Sequence, residues 1–279
     1  SALLSAHFAV LYCEINPTDA ARLGVQEAGL VSVASPHGSA VLRALITDRQ
    51  PVGSVFAPMH WTGETAPSAR IDALVAAAVD PVSGQPESKA SVVAVNRLDA
   101  AWYGFAVCAE MPAPDCAYWA MARTTAGYRA ELAGRSAPED WEAATRALFD
   151  LPDAQIMSLS DTARGLHRLA LHTDGKLLAA LFVARTPVAV MRDYLATRPG
   201  QPLDHVLTGL TPADVPDPGP ILCSCFGVGV NTIARAIEDD GLMSVDEVGK
   251  AVRAGTNCGS CKPEIGALLK TFALPQAAE

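Results

Sequence analysis

Four cysteines near the C-terminus constrain the fold of this chain more than any other feature. Cys223 and Cys225 enclose one serine, and after thirty-two intervening residues Cys258 and Cys261 enclose Gly-Ser. Thiolates are soft ligands, so two close pairs of them indicate a zinc ion or an iron–sulfur cluster. The other three cysteines are isolated in the sequence: Cys13, Cys108 and Cys116. This odd, uneven distribution is not that of a secreted disulfide framework, and it predicts a metal centre in a reducing compartment.

The spacing of the two pairs favours a cluster over zinc. Zinc ribbons usually bind through two C-x-x-C pairs, whereas the first pair here is C-x-C. Glycines at 227, 229, 255 and 259 allow backbone N–H groups to approach sulfur closely, which favours a cluster. Two short predicted helices between the pairs can turn the chain back on itself. An iron–sulfur cluster is the preferred interpretation; zinc and a set of unliganded buried thiols stay open as alternatives.

Length and charge exclude several classes of protein. With 279 residues, half of them hydrophobic and 18% charged, the chain is predicted to fold into two or more domains. A net charge of −9 and a pI near 5.1 argue against a nucleic-acid or membrane-surface binder. The longest apolar run, at 176–184, is too short to cross a bilayer, and no signal sequence opens the chain. We therefore expect a cytoplasmic location.

The pattern along the chain predicts an α+β multi-domain protein with three regions. Residues 1–95 are mostly β, 96–214 form an α+β middle segment of unknown role, and 215–279 are helical. Short strands separated by turns favour a barrel in the first region. A proline-rich linker at 212–220 precedes the helical region.

Local motifs predict individual elements. In the first two regions these are a helix at 16–24 with an Asn cap and a terminal Gly, a hairpin turn at 36–38, a helix with a capping box from Ser136 to Glu139, a hairpin around Asp174-Gly175, and a helix starting at Thr186-Pro187. In the last region they are a helix from Asn231 to Gly241, a capping box from Ser244 to Glu247 with the helix ending at Gly255, and a helix with Pro263 in its first turn.

The C-terminal motif is similar to a known cluster-binding family. "CFGVGVNTI" after the first pair, together with C-x-C…C-x-x-C, resembles the bacterioferritin-associated-ferredoxin-like (BFD-like) domain over roughly 221 to 271. The resemblance implies that Cys223, Cys225, Cys258 and Cys261 hold a 2Fe–2S cluster. Such a domain moves single electrons and performs no substrate chemistry.

The first region resembles the dinucleotide-binding domain of molybdopterin oxidoreductases. The resemblance is carried by "LSAH" (4–7), "NPTDAARLG", "PMHW" (58–61) and "DPVSGQPESK" (80–89). It implies a double-psi β-barrel that closes over bis-molybdopterin guanine dinucleotide. The residues with suitable donors, acceptors, charge or ring faces are His60, Trp61, Ser83, Gln85, Lys89 and His7. The alternative is that His60-Trp61 is a pair at the rim of the barrel and that Lys89 is a solvated strand end.

The order of these blocks resembles the assimilatory nitrate reductase catalytic subunit of bacteria. The resemblance implies an oxidoreductase that reduces nitrate to nitrite at molybdenum, with electrons supplied by a reductase or a ferredoxin- or flavodoxin-like donor. The part of that family with a 4Fe–4S cluster, most of the molybdopterin site and the molybdenum ligand has no counterpart here. We expect a C-terminal portion with no catalytic residue, whose partner is the remainder of the subunit and which is inactive alone. The alternatives are a stand-alone electron-transfer module and a zinc-stabilised structural protein.

Overall fold

The computed structural model describes residues 11–59, 61–86, 91–212, 216–223, 226, 228–256, 259 and 261–273. Within these residues the chain forms two compact units. The first extends to Leu210 and the second begins at Thr211. This break falls at the edge of the proline-rich segment that was predicted to be a linker.

The first unit opens with a small mixed sheet. Its elements are β1 (Tyr12–Ile15), α1 (Pro17–Leu23), β2 (Leu30–Ala34), β3 (Ser39–Ile46), β4 (Val55–Phe56) and β5 (Ala94–Leu98), with 3-10 turns at Pro67–Ala69 and Ile71–Leu74. The strand order is β4-β1-β3-β2-β5, and β1 and β3 are parallel while the other neighbours are antiparallel. The predicted hairpin around 36–38 is confirmed by β2 and β3.

Helix α1 forms as its sequence predicts. The Asn16 side chain accepts a hydrogen bond from the N–H of Thr18 at 2.9 Å, and Pro17 occupies the first turn. Gly24 ends the helix with φ +65°, a conformation that glycine adopts without a steric cost. The helix therefore has a satisfied start and stop that depend on local sequence alone.

A second, antiparallel sheet follows in the same unit. Its elements are β6 (Trp102–Cys108), β7 (Tyr118–Thr124), β8 (Gly127–Gly134), α2 (Trp141–Phe149), β9 (Gln155–Asp161), β10 (Leu166–Thr173), β11 (Lys176–Ala184) and α3 (Arg192–Leu195), with a 3-10 turn at Val206–Thr208. The strand order is β7-β8-β6-β11-β10-β9. The hairpin around Asp174-Gly175 is confirmed, since both residues have positive φ, as a tight two-residue turn requires.

The capping box predicted for α2 is wrong. The helix begins at Trp141, and the carboxylate of Asp140 accepts hydrogen bonds from the N–H groups of Glu142 and Ala143 at 2.8 and 3.1 Å. The carbonyl of Ser136 instead accepts a hydrogen bond from Nε1 of Trp102, so this residue lies outside the helix. The contact with Trp102 holds Ser136 away from the helix, and the carboxylate of Asp140, which adjoins the helix, caps it instead.

The helix predicted from Thr186-Pro187 is also wrong at its start. Only Arg192–Leu195 is helical. Val188 is buried in the core, and the N–H of Met191 donates to the carbonyl of Gly209 at 2.8 Å. These contacts hold the preceding residues out of the helix, although their spacing fits one.

The second sheet lies between two hydrophobic layers. Every residue of β6 is buried. Tyr103, Phe105 and Val107 share a core with the first sheet, whereas Trp102, Ala106 and Cys108 pack on the other side with Phe149 of α2. The first sheet and the second sheet therefore share one core, and the division at residue 95 stays a prediction about domain boundaries.

A buried ion-pair network joins the two sheets. Glu131 of β8 accepts a hydrogen bond from Nε of Arg192 at 2.6 Å, and its Oε2 lies 3.0 Å from Nη2 of Arg43 on β3. The Arg43 N–H is not aligned on this oxygen, so that pair is chiefly electrostatic. Arg43 also lies over the rings of Tyr103 and Tyr118, at 5.8 and 5.7 Å from their centroids. Arg43, Glu131 and Arg192 line one side of a cavity of about 300 Å³.

The second unit is small and largely helical. Its elements are β12 (Ile221–Cys223), β13 (Val228–Gly229), α4 (Val230–Asp240), α5 (Val245–Val252) and α6 (Lys262–Ala273). The Ser244–Glu247 capping box is confirmed, as are the stop of α4 at Gly241 and the position of Pro263 in the first turn of α6.

Two boundaries in this unit differ from prediction. Helix α4 begins at Val230 after Gly229, and the N–H groups of Val230 and Asn231 donate to the carbonyls of Pro220 and Pro218. These backbone carbonyls replace the predicted Asn side-chain cap. Helix α5 ends at Val252, with Arg253 in the left-handed conformation (φ +65°), before the predicted stop at Gly255. Among the described residues no helix is both long and apolar enough to cross a membrane.

Candidate functional site

The first and last cysteines of the motif meet in the second unit. Cys223 ends the short strand β12, and Cys261 immediately precedes α6; both side chains are buried. Their thiols are hydrogen-bonded neighbours although the sequence separates them by two helices. Cys225 and Cys258 lie outside the described residues. The convergence that the sequence predicted is thus present for one cysteine of each pair.

The surroundings of Cys261 suit a sulfur ligand. The N–H of Gly255 is directed at its sulfur, as is its own N–H, and both lower its pKa. Burial and the adjacent Cys223 thiol outweigh them and raise the pKa of Cys261 above its usual value. Two buried thiols side by side disfavour two bare thiolates, and a bound cation reverses this preference. The donor set therefore fits a metal or cluster site.

Glycines shape this site in two different ways. Gly255 has φ +80°, which lets its N–H face Cys261 as the sequence predicted for a glycine near sulfur. Gly229 serves packing instead, because a Cβ there would lie 1.9 Å from the carbonyl oxygen of Pro218. Gly255 therefore allows a hydrogen bond to sulfur, whereas Gly229 allows the close packing of the segment that precedes α4.

An apolar layer closes the inner side of the cysteine site. Cys223 and Cys261 belong to the hydrophobic core of the second unit, which they share with residues of all three helices and of the adjoining segments: Val228, Ile233, Ile237, Val248, Ala254 and Ile265. Burial and hydrogen bonds to sulfur are the features by which a protein adjusts the potential of a bound cluster. Both features are present here.

The loop predicted to contact a dinucleotide is organised by a residue that the sequence analysis did not single out. The carboxylate of Asp80 accepts hydrogen bonds from the N–H groups of Val82 and Ser83 at 3.0 and 2.7 Å, and from the hydroxyl of Ser83 at 2.9 Å. The backbone of Asp80 also pairs with Gln85 and Gly84. An Asp followed by a Ser three residues later is the recognisable pattern for such a turn.

The predicted pterin contacts are only partly within the described residues. Ser83 and Gln85 are exposed on the Asp80 loop, and the hydroxyl hydrogen of Ser83 is directed at Asp80. Trp61 is half-buried against the core of the first unit. His7, His60 and Lys89 lie outside the described residues. Of the predicted contact residues, the described part therefore shows two on an ordered polar loop and one as a partly buried indole.

The three isolated cysteines lie in inert surroundings. Burial raises the pKa of Cys13 and of Cys108 to about 12, and that of Cys116 to about 11. Neutral buried thiols of this kind are poor nucleophiles and poor ligands. His167 is buried and stacks on Trp141, with 5.1 Å between ring centroids.

Two protein families match this chain in separate parts. Residues 3–104 match the molydopterin dinucleotide binding domain, and residues 221–271 match the BFD-like [2Fe-2S] binding domain. These are the two families that the sequence motifs resemble. The second match contains all four cysteines of the motif and coincides with the compact helical unit.

Curated relatives connect the two matches. A nitrate reductase of Klebsiella oxytoca is 33% identical over 265 residues, which is 92% of this chain and 30% of that protein. An assimilatory nitrate reductase catalytic subunit of Bacillus subtilis is 30% identical over 95 residues, covering 34% of this chain and 13% of its own length. The nitrogen fixation protein NifU of Leptolyngbya boryana is 43% identical over 49 residues, 18% of this chain and 24% of that protein.

The chain thus spans about a third or less of the length of these relatives. The similarity to the Klebsiella protein extends across the middle segment, for which neither family match accounts. The chain carries a molybdopterin dinucleotide-binding domain and a BFD-like 2Fe–2S domain, and it is homologous to nitrate reductase catalytic subunits.

Proposed function

We propose that this chain is the C-terminal part of an assimilatory nitrate reductase catalytic subunit. It contributes a wall of the molybdenum cofactor site and an electron relay, and the molybdenum itself is bound by another part of the protein. The observation that carries the proposal is the meeting of Cys223 and Cys261 in a buried site inside a 2Fe–2S family match, on a chain homologous to nitrate reductases. Alone, the chain does not reduce nitrate.

In the electron relay, Cys223, Cys225, Cys258 and Cys261 hold the 2Fe–2S cluster. When bound, the cluster supplies one-electron transfer. The chain provides buried sulfur, N–H groups directed at Cys261 and an apolar inner wall. A reductase or a ferredoxin- or flavodoxin-like protein donates the electrons, and the remainder of the catalytic subunit receives them.

In the cofactor wall, we assign contacts with bis-molybdopterin guanine dinucleotide to His7, His60, Trp61, Ser83, Gln85 and Lys89, on a double-psi barrel. The Asp80 loop supports this assignment because it holds Gln85 exposed on an ordered turn. The negative charge of Asp80 is already covered by N–H and O–H donors, which reduces its repulsion of a pyrophosphate. The protein is placed in the cytoplasm, where its isolated cysteines stay reduced.

The cluster is tested by anaerobic purification followed by iron and sulfide analysis, visible absorption and electron paramagnetic resonance (EPR) after reduction. We expect two iron and two sulfide per chain and an EPR signal that appears on reduction. Cys261→Ser is expected to abolish the signal, whereas Cys116→Ser, which changes an isolated and partly buried thiol, is the matched control and keeps it. A colourless protein with stoichiometric zinc contradicts the assignment.

The cofactor wall is tested separately by co-expression with the missing part of the subunit. Acid treatment of the purified complex is expected to release guanosine monophosphate. Substitution of Gln85 by Ala is expected to lower the amount released per chain, and substitution of the exposed Glu139 is the control. Equal release from both variants contradicts the assignment of Gln85.

A further inference from the structure

One arginine links the two cysteine-bearing segments of the second unit. The guanidinium of Arg253 lies over the ring of Phe226 at 4.2 Å from its centroid. Phe226 follows Cys225 in the sequence, and Arg253 precedes Cys258 by five residues. This distance is well within the range of a cation–π interaction. The contact therefore bridges the first cysteine segment and the second.

The backbone of Arg253 is strained for a residue other than glycine. Its φ is +65°, in the left-handed region that glycine or asparagine usually occupies at the end of a helix. Gly255 lies two residues later and has φ +80°. A glycine at 253 would fit the same helix end with less strain, so the arginine side chain offers something that offsets the backbone cost.

The end of α5 also determines the geometry at sulfur. The N–H of Arg253 donates to the carbonyl of Gly249 at 2.9 Å, which fixes the helix end, and Ala254 next to it is buried in the core. The following residue, Gly255, directs its N–H at Cys261. The Arg253–Phe226 contact is therefore made at the point where the chain turns from α5 toward the sulfur site.

We propose that Arg253 is a positioning residue of the cluster site: through Phe226 it holds the two cysteine segments together, and it fixes a positive charge beside them. This inference rests on the proposed 2Fe–2S function. A fixed positive charge stabilises the reduced form of the cluster, which carries one more electron, and therefore raises the reduction potential.

The test compares four variants of the full 279-residue chain. Arg253→Gly removes the charge and the ring contact but relieves the backbone strain, so a change cannot be attributed to a broken helix end. Arg253→Lys keeps the charge and loses the flat stacking group. Phe226→Leu keeps the arginine and removes its ring partner. Lys250→Gln, on the same helix, removes one positive charge without altering the pair and is the control.

The readouts are the reduction potential from an EPR-monitored titration and the rate of iron loss to a chelator. Arg253→Gly is expected to lower the equilibrium constant for reduction about threefold to tenfold, tenfold being about 59 mV for one electron. It is also expected to speed iron loss. Arg253→Lys is expected to keep the potential and speed iron loss, and Phe226→Leu to speed iron loss.

Two results overturn the proposal. One is a potential for Arg253→Gly that equals that of Lys250→Gln; the other is an unchanged rate of iron loss in both Arg253→Gly and Phe226→Leu. If Arg253→Gly loses its cluster during purification, the holding role is supported, and reconstitution of that variant under anaerobic conditions then gives its potential. Failure of the proposed function is distinct, since the unaltered chain would then contain no iron–sulfur cluster.

Discussion

Removal of one charge from the network between the two sheets is predicted to destabilise the first unit severely. The change is Glu131→Gln, which preserves shape and leaves one oxygen to accept a hydrogen bond from Nε of Arg192. The carboxylate is only 4% exposed, and it lies between two guanidiniums at 2.6 and 3.0 Å. Without its charge, Arg43 and Arg192 become two like charges that share a site with no counter-ion.

The magnitude follows from burial rather than from the number of contacts. A unit charge pair at about 4 Å is worth about 4 kcal/mol at the effective dielectric of a protein site. Because Arg43 stays buried in the variant, its desolvation is not recovered, and breaking such a pair from one side typically costs about 3–5 kcal/mol; Arg192 is 32% exposed and loses less. We expect a loss of that size in the free energy of unfolding. At about 1.4 kcal/mol per tenfold, the ratio of folded to unfolded protein falls by roughly two to four orders of magnitude.

Urea unfolding followed by tryptophan fluorescence is the suitable assay, since all four tryptophans precede Leu210 and report on the first unit. With a slope of about 2–3 kcal/mol per molar, the midpoint is expected to fall by about 1–2 M. The matched control is Asp193→Asn, which breaks a salt bridge to Arg129 in which the carboxylate is 69% exposed. Its expected cost is about 0–1 kcal/mol.

Equal losses in Glu131→Gln and Asp193→Asn would refute the reasoning, because solvent would then screen both pairs alike. A second comparison separates charge from packing. Replacement of Arg43, Glu131 and Arg192 together by apolar residues of similar size is expected to cost far less than Glu131→Gln, since no charge is left buried. A triple variant as unstable as Glu131→Gln would attribute the loss to shape instead.

Three further predictions concern the other described features. Burial lowers the pKa of His167 below its usual 6.5, so the folded state favours the neutral imidazole. The free energy of unfolding is therefore expected to decline as pH falls from the unfolded-state pKa through the folded-state pKa. A fluorescence titration of the adjacent Trp141 is expected to show a midpoint below 6.5 that is lost in the control His167→Asn. Asp80→Ala is expected to release the 79–86 loop, measured as faster amide hydrogen exchange at Ser83, while Asp72→Ala leaves that loop unchanged. Removal of iron by a chelator is expected to lower the melting temperature of the second unit without moving the tryptophan transition of the first.

The local signals in the sequence succeeded where the interaction partners are a few residues apart. The Asn16 and Ser244 caps, the Asp174-Gly175 turn and the Gly241 stop depend on backbone groups within four positions, so their residue types suffice. The predictions at Ser136 and Thr186 failed for the opposite reason. Trp102 and Gly209, distant in the sequence, bind the backbone at those places and override the local preference.

The residues of the candidate sites also differ in how far the sequence alone predicts them. The chemistry of four soft ligands in two pairs predicted that Cys223 and Cys261 converge, since a shared metal centre brings its ligands together. The family motifs alone indicated the dinucleotide-binding and 2Fe–2S domains. The role of Asp80 in ordering its loop could also have been predicted, because an Asx turn has a recognisable spacing in the sequence.

The sequence by itself determined the two domain families, the helix caps at Asn16 and Ser244 and the hairpin turns, because each depends on residue chemistry or on neighbours within a few positions. Only the tertiary structure decided that Arg43 and Glu131 would meet, that β6 would be buried on both faces, and that Arg253 would lie over Phe226. The physical reason is that a charge or a ring has no preferred partner in sequence. Its partner is set by which surfaces the hydrophobic core brings together.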